Sequence, residues 1–488
     1  MARRKRERYP LYENVEIIDL AIEGKAVGKV KNQNPEQGDL TIFVSKTVPG
    51  DIVDVQINKK KKNYKEGYPV KFHKYSEKRI DAPCIHFGVC GGCTRQQLSY
   101  KEQLIYKQKQ VTDTLTRIAK VELPEINNIL AAPETTYYRN KLEYSFTNSR
   151  WLTHDEINTD NDINDYKGLG FHIPGRFDKI LDIKECLLQK APSNAIRLFI
   201  KDFAVKNNYD FFNLYKKEGF LRNLIIRTSE TDEIMIILSF FENETEKINS
   251  LLDAVSNKFP EITSVNYVIN NKLNDNISDL KIFNYRGKDH IQEKMGDIKF
   301  IVGPKSFYQT NSKQAQNLYQ IASDFGDFKG NEIVYDLYTG TGTIANFIAD
   351  KVKKVIGIEY VQEAIEDAKK NSELNSINNT SFFAGDMKDI LNDDFINNNE
   401  KPDIVIIDPP RAGMHKNVIN SVLNSNPEKI IYISCNVATQ ARDIRLLDLN
   451  YKIDKIQPVD MFPHTHHIEN IILLKNRKFS TLNQINRK

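Results

Sequence analysis

The chain is short of cysteine, with five among 488 residues, and that scarcity excludes a disulfide-stapled scaffold. It has no apolar run approaching the roughly 18 residues of a membrane span. Its basic start, ARRKRER, lacks the hydrophobic stretch of a signal peptide. A soluble, cytoplasmic protein with no membrane partner is therefore expected. The cysteines do not follow the CxxxCxxC spacing of radical enzymes, and the one conspicuous glycine-rich turn has no third glycine where a dinucleotide site would need it.

What is present is enough for several ordinary cores. With 40% hydrophobic residues, the chain has the length of roughly three domains. The overall charge of +4 is unevenly spread: residues 1–80 carry 18 Lys and Arg against 11 Asp and Glu, a net of +7 that leaves −3 for the remainder. A basic end on a near-neutral body suggests a polyanionic partner, although a solvated charged face reads the same way. Between Asn14 and Tyr75, short alternating runs separated by Gly, Pro, Asn and Asp predict a five-strand β-barrel. Lys59 to Lys65, KKKKNYK, forms a cationic turn able to follow a phosphate backbone, with Tyr64 and Tyr68 available for stacking. Gly24, Gly28, the VPGD turn and the lysine run resemble a TRAM domain.

Cys84, Cys90 and Cys93 fall within ten residues in PCIHFGVCGGC, and Cys186 follows in ILDIKECLLQ. Four thiolates make a complete ligand set, and ligand count alone leaves zinc and a 4Fe-4S cluster both open. Gly91 and Gly92 suit a loop that wraps a metal. Next, SYKEQLIYKQKQVTDTLTRIAK predicts a long amphipathic helix with Leu104, Val111, Leu115 and Ile118 inward. Strand-like runs then suggest an α+β central domain. Arg139, Asn140 and Lys141 there read equally as RNA contacts or as a strand's solvent face, and 154–167 as an inserted polar loop.

The last third carries the strongest pattern. IVYDLYTGTGT is an apolar strand, an acidic residue and a Gly-rich turn opening a helix; Gly340 and Gly342 let backbone approach a ligand. Glu359 follows 23 residues after Asp336 at the end of KVIGIE, where a carboxylate can accept both ribose hydroxyls of an adenosine. Asp386 is a candidate for the adenine side. The D-x-x-x-G-x-G turn resembles the class I S-adenosylmethionine methyltransferases.

A further strand ends in Asp408-Pro409-Pro410-Arg411. An aromatic after the two prolines would suggest attack by an exocyclic amine; Arg411 stands there instead, which favours reaction at carbon. Carbon 5 of uracil is too weak a nucleophile alone, but thiolate addition at carbon 6 makes it an enolate. Cys435, in IIYISCN, is the candidate nucleophile. Glu469, in HIEN, is the candidate base for the carbon 5 proton. A buried inert thiol and an exposed turn carboxylate are the bland alternatives. His464, His466 and His467 lack a fourth ligand and regular spacing for a metal.

Together the barrel, PCxxFxxCGGC, SFYQTN at Ser306 to Asn311, DLYTGTGT, DPPRAG, SCN and HIEN resemble the RNA uracil-5-methyltransferases, specifically the iron–sulfur group acting on 23S ribosomal RNA. The resemblance implies a multidomain α/β protein: a TRAM-like barrel (1–78), a central α+β domain with the cluster loop (79–98 and 121–290), a linking helix (99–120) and a Rossmann-like methyltransferase domain (291–488). It implies a 4Fe-4S cluster on Cys84, Cys90, Cys93 and Cys186. S-adenosylmethionine would be contacted by Gln309, Tyr338, Glu359 and Asp408, with Cys435 as nucleophile and Glu469 as base. Thr343 stands where some relatives have Asn. The expectation is a monomer that methylates carbon 5 of a uridine in 23S rRNA. A transfer RNA uracil-5-methyltransferase and a noncatalytic RNA-binding or ribosome assembly factor are the alternatives.

Overall fold

The computed structural model describes residues 9–21, 24–31, 38–157 and 166–479. The basic start at 1–8 and most of the inserted loop, 158–165, lie outside the described residues. Two compact units divide the chain. The first comprises 1–110 with 462–467, and the second 111–461 with 468–488.

In the first unit, β1 (Leu11–Leu20), β2 (Ala26–Val30), β3 (Leu40–Val44), β4 (Ile52–Lys60) and β5 (Lys65–Lys74) close a barrel in the order β1-β2-β3-β5-β4. Alternation along each strand sends Val15, Ile17, Ile42, Val44, Val53, Val55 and Ile57 inward, as a period of two requires. The VPGD turn is held by Asp51, fully buried, which accepts from Val48 N (2.8 Å) and Ser76 N (2.9 Å) and pairs with Arg79 (2.6 Å). Glu66 anchors the lysine hairpin by pairing with Lys25 (2.7 Å) and Lys59 (3.0 Å). Lys60, Lys61 and Lys62 remain exposed.

The helix Tyr100–Thr114 departs from the expected apolar face. Val111 and Leu115 are buried, but Gln103, Lys107 and Gln110 are buried with them. Each polar group has a backbone acceptor: Gln103 Nε2 donates to Arg95 O and Leu98 O (3.0 and 2.9 Å), Lys107 Nζ to Phe462 O (3.1 Å) and Gln110 Nε2 to Leu20 O (3.1 Å). Amide and ammonium groups whose N–H donors are met bury where bare ones would not. A π-helical turn, Leu115–Ala119, follows. Its extra residue per turn rotates Ala119 inward and leaves Ile118 exposed.

In the second unit, β6 (Lys141–Thr147), β7 (Gly168–Ile173), β8 (Arg176–Asp182), β9 (Leu221–Thr228), β10 (Ile234–Phe240), β11 (Ser264–Ile269) and β12 (Ile282–Gly287) form a sheet in the order β12-β11-β10-β9-β6-β7-β8. A hairpin of β13 (Ile291–Met295) and β14 (Ile298–Val302) follows. The last sheet contains β15 (Ile333–Leu337), β16 (Lys354–Glu359), β17 (Thr380–Ala384), β18 (Ile404–Ile407), β19 (Lys429–Ser434), β20 (Tyr451–Val459) and β21 (Glu469–Asn476), in the order β17-β16-β15-β18-β19-β21-β20. Its first five strands run parallel and β21 is antiparallel to both neighbours. Parallel strands are covered on both faces and so read as continuous apolar runs. Val334, Tyr335, Leu337, Ile406 and Ile407 are accordingly inaccessible to solvent. Strand order reverses between β15 and β18, and a crevice at that reversal, beyond the carboxyl ends, is where such sheets bind ligands.

Candidate active site

At the end of β15, Asp336 is fully buried. Its Oδ2 accepts from Ala345 N (3.1 Å) and Thr339 Oγ1, while Oδ1 has no partner. Burial pushes its carboxyl up to about 7. The turn that follows places Tyr338 (φ 65°), Gly340 (φ 55°) and Gly342 (φ 75°) in the left-handed region. Tyrosine rarely adopts that conformation, and such strain concentrates at functional sites. A Cβ on Gly342 would stand 2.9 Å from Ala368 Cβ, whereas nothing lies within 4 Å of the corresponding point on Gly340. The turn is therefore tight beneath Gly342 and open beside Gly340.

Glu359, at the end of β16, turns its carboxylate to this turn. Oε2 accepts from Gly340 N (3.2 Å) and Oε1 from Val361 N (3.1 Å). Gln309 approaches in the loop before the helix Ser312–Gly326. Its carbonyl accepts from Asn140 Nδ2 (2.9 Å), which also donates to Ser312 Oγ (2.8 Å); Ser312 Oγ in turn donates to the buried Glu293 (2.8 Å). The Gln309 side chain meets Tyr319, whose hydroxyl lies 3.4 Å from Thr343 Oγ1. Asp386 sits differently. It caps the helix Met387–Ile390 through Lys388 N (3.2 Å) and pairs with Lys388 Nζ (2.6 Å), which holds its carboxyl below the usual range.

The second half of the site lies on β18, β19 and β21. Antiparallel pairing sets Ser434 opposite Asn470, so the next residue of one strand, Cys435, and the preceding residue of the other, Glu469, come together at the sheet end. Cys435 is half-buried and Glu469 buried. Burial, then the neighbouring Asp408, raise the Glu469 carboxyl well above the usual carboxylate range, with Arg411 opposing. The Cys435 thiol is pushed up to about 11 by burial and by Glu469; Arg411 again opposes, by charge and by hydrogen bonding to the thiol. Asp408 is pushed up to about 7 by desolvation and by Asp336.

Arg411 was legible in the sequence only as a missing aromatic. The fold makes it the cation facing both Cys435 and Glu469. Its loop is pinned from the side of Cys435 and the helix that follows it. Asn436 Nδ2 and Thr439 Oγ1 donate to Arg411 O (3.0 and 3.2 Å), Arg442 Nη2 to Ala412 O (3.0 Å), and Met414 N to Asp443 Oδ2 (2.8 Å). Gly413 (φ 77°) packs so closely that a Cβ would meet Arg442 Nη2 at 2.6 Å. Asn140, which the sequence left between RNA contact and solvent face, instead clamps the Gln309 loop. It immediately precedes β6, where no periodicity marks it.

Of the cysteines, Cys84, Cys90 and Cys93 are partly buried in the first unit, with Gly92 N donating to Cys90 Sγ (3.4 Å). Cys186 is buried in the second, where its amide donates to Asn194 Oδ1 (2.9 Å) and its carbonyl accepts from Asn194 Nδ2 (3.0 Å). Among the described residues, no group of three or more His, Cys, Asp or Glu is gathered that could hold a metal ion. Nor is any helix among them long and apolar enough to cross a membrane.

An acidic strand end, a glycine turn and a thiol facing a buried carboxylate thus gather at one edge of the parallel sheet. The family model for tRNA (uracil-5-)-methyltransferases matches residues 226–477. The chain belongs to this family. It is an S-adenosylmethionine-dependent RNA uracil-C5 methyltransferase. A TRAM domain model matches residues 12–70, the barrel. The chain is similar to an RNA methyltransferase of Bacteroides thetaiotaomicron, described as uncharacterized, at 55% identity over 94% of this chain and 100% of that one. A Porphyromonas gingivalis protein of the same description is 51% identical over 94% of this chain and 99% of its own. Among solved structures, the Pyrococcus abyssi tRNA (uracil-54, C5)-methyltransferase in complex with S-adenosyl-L-homocysteine aligns with a TM-score of 0.72 at 29% identity, covering 94% of this chain and 99% of that one.

These findings correct the expectation of a 23S ribosomal RNA substrate. That substrate was implied by the resemblance to the iron–sulfur group, of which the barrel and cysteine loop are part. Yet a transfer RNA enzyme matches this uracil-5-methyltransferase over 94% of its length. A barrel that follows a phosphate backbone is compatible with either RNA, because backbone contacts position without reading sequence.

Proposed function

We propose that this enzyme methylates carbon 5 of a uridine in transfer RNA. The observation that carries the chemistry is the placement of Cys435 against Glu469 across β19 and β21, beside Asp408 at the sheet's switch point. The family model and the Pyrococcus abyssi enzyme support the substrate class. The turn fits an adenosyl ligand: Asp336 Oδ1 is buried without a partner, Gly340 opens onto free space, and Glu359 stands beside it with two acceptor oxygens. Gln309, Tyr338, Glu359 and Asp408 would hold S-adenosylmethionine, which when bound supplies an electrophilic methyl on a sulfonium; Asp386 lies further along the same edge.

The chain's own residues do the rest. Cys435 gives its proton to solvent and adds as thiolate to carbon 6 of the uracil, forming one S–C bond and moving the ring's electron pair onto carbon 5 and oxygen 4. Arg411, hydrogen-bonded to the thiol and opposing the raised pKa values of Cys435 and Glu469, stabilises the thiolate. Once carbon 5 carries the methyl, Glu469 as carboxylate takes the remaining carbon 5 proton. The electrons of that C–H bond re-form the double bond and expel Cys435. A carboxylate whose conjugate acid is raised by burial is a stronger base than an exposed one, which suits this step. The target base must leave its stack to reach a half-buried thiol, so a loop uridine is preferred to a paired one.

The 4Fe-4S reading of Cys84, Cys90, Cys93 and Cys186 rests on their number, their spacing and the glycines between them, with the Gly92 amide on Cys90 Sγ as a supporting contact. No step of the methyl transfer passes through it. Brown, anaerobically purified protein with stoichiometric iron and sulfide would bear it out, and colourless protein with stoichiometric zinc would overturn it.

The test of function is incubation with unmodified tRNA and with undermethylated 23S rRNA, using labelled S-adenosylmethionine. The expected product is 5-methyluridine in tRNA, located by mass spectrometry. Label confined to rRNA would refute the substrate, and no 5-methyluridine in either would refute the reaction.

A further inference from the structure

The central sheet carries a cleft that no candidate catalytic residue lines. Its volume is about 590 Å³, and its walls come from Ser145, His172 and Asn223 on β6, β7 and β9, from Arg176–Asp178 at the start of β8, and from the loop 212–215. Three large apolar side chains stand at its mouth: Phe177 is 75% exposed, Tyr215 70% and Leu273 63%. Single exposed apolar residues are ordinary on protein surfaces, but several gathered at one cleft mark a contact site.

The aromatic wall is built rather than incidental. Tyr215 OH donates to Asp178 Oδ2 (2.7 Å), and Arg176 grips the same carboxylate through Nε and Nη2, both at 2.9 Å. Asn213 Oδ1 accepts from the amides of Tyr215 and Lys216 (3.0 and 2.9 Å), which sets the loop carrying the ring. Deeper in, the guanidinium of Arg222 lies 4.4 Å from the Phe212 ring centroid and pairs with Asp275 (2.9 Å). Both acids of the cleft are thereby neutralised by arginine. Lys216 pairs with Glu218 (3.3 Å), which leaves Lys179, donating to Ser149 Oγ (2.8 Å), and the exposed Lys217 without an acidic partner among the described residues. The surroundings are thus net positive beside exposed rings.

We propose that this cleft is a second RNA-binding site, which receives an unstacked base of the substrate RNA other than the methylated uridine, with the neighbouring phosphates drawn to Lys179 and Lys217. Stacking on Phe177 and Tyr215 supplies the base contact, and the hydrogen bonds that order Tyr215 in advance lower the entropy lost on binding. The volume accommodates one nucleoside with room for its sugar. This proposal rests on the RNA methyltransferase reading and adds where on the central sheet the substrate is held.

The experiment uses the full-length protein and an unmodified tRNA transcript, with binding measured by filter retention and contacts by ultraviolet cross-linking and peptide mass spectrometry. Phe177→Ala/Tyr215→Ala is expected to weaken RNA binding about tenfold or more, with S-adenosylhomocysteine binding and melting temperature unchanged. Lys179→Ala/Lys217→Ala is expected to reduce the slope of log affinity against log salt by about one to two. Wild-type cross-links should include peptides carrying Phe177 or Tyr215. Normal affinity in the aromatic variant, with cross-links confined elsewhere, would overturn the site while leaving methylation by the wild type to score the proposed function. Wild-type protein that binds RNA without methylating it would refute the function and still decide the cleft by the same comparison. Protein with no RNA affinity at all would overturn the cleft.

Discussion

The barrel and the catalytic sheet edge treat charge in opposite ways. On the barrel, charged side chains are exposed or paired: Glu66 with Lys25 and Lys59, Asp54 with His73, and the buried Asp51 with Arg79. At the sheet edge, Asp336, Asp408, Glu469 and Cys435 are each desolvated and pushed toward their neutral forms, with Arg411 facing Glu469 and Cys435. The first arrangement holds a polyanion by long-range, salt-sensitive attraction. The second stores the unfavourable desolvation of acids that a reaction then uses. Affinity and chemistry are therefore separable in this molecule, and substitutions should affect one without the other.

The largest effect is expected from Cys435→Ala, which removes the bond-forming sulfur: methyl transfer to tRNA should fall by roughly ten-thousand-fold or more while RNA retention on filters stays within about twofold. Loss of RNA binding with methylation intact would break the contrast at its root. Glu469→Gln should cost roughly a hundred- to ten-thousand-fold and behave differently from Cys435→Ala. With the base removed, elimination stalls, and a protein–RNA adduct should persist in denaturing gels. Because both Cys435 and Glu469 titrate above their ordinary values, the reactive thiolate and carboxylate gain population as pH rises, so wild-type kcat/KM should increase from pH 6 to 9; a falling profile would refute these roles.

Smaller effects sharpen the other side. Replacing Lys60, Lys61 and Lys62 with Ala should lower the salt slope of tRNA binding by about two to three and raise KM several-fold, with kcat on saturating RNA unchanged. The smallest expected effect is on stability. Asp408 has a folded-state carboxyl raised to about 7 from 3.8, so the folded protein binds the proton more tightly than the unfolded chain. Its contribution is present below about pH 4 and lost as pH rises through 7. Asp408→Asn should thus raise the melting temperature of the ligand-free enzyme more at pH 8 than at pH 5, and an equal change at both would argue against a buried, destabilised acid.

Much of the architecture was legible from local pattern. Five alternating runs with turn residues between them specified a small barrel, and unbroken apolar strands ending in Asp336, Glu359 and Asp408 marked a parallel sheet with its acidic residues at one edge. The linking helix was less legible: Gln103, Lys107 and Gln110 face inward because distant carbonyls receive them, and no hydrophobicity pattern registers an acceptor far away in sequence. The substrate was misjudged for a related reason. Lysines and tyrosines on a barrel declare a polyanion, not which RNA bears it, and it took similarity to a transfer RNA enzyme over nearly the whole chain to redirect that reading.

By itself, then, the sequence determined the local segments, since a glycine turn after an acidic strand end and a lone cysteine at another are properties of short stretches. Only the tertiary structure decided their arrangement. The reversal of β21 against β19 sets Glu469 beside Cys435 from 34 residues away. The pinned DPPR loop brings Arg411 to both, and Asn140 reaches across to hold Gln309. Antiparallel register and backbone hydrogen bonds between remote segments carry no local signature, because the partner that satisfies each donor is chosen by the fold.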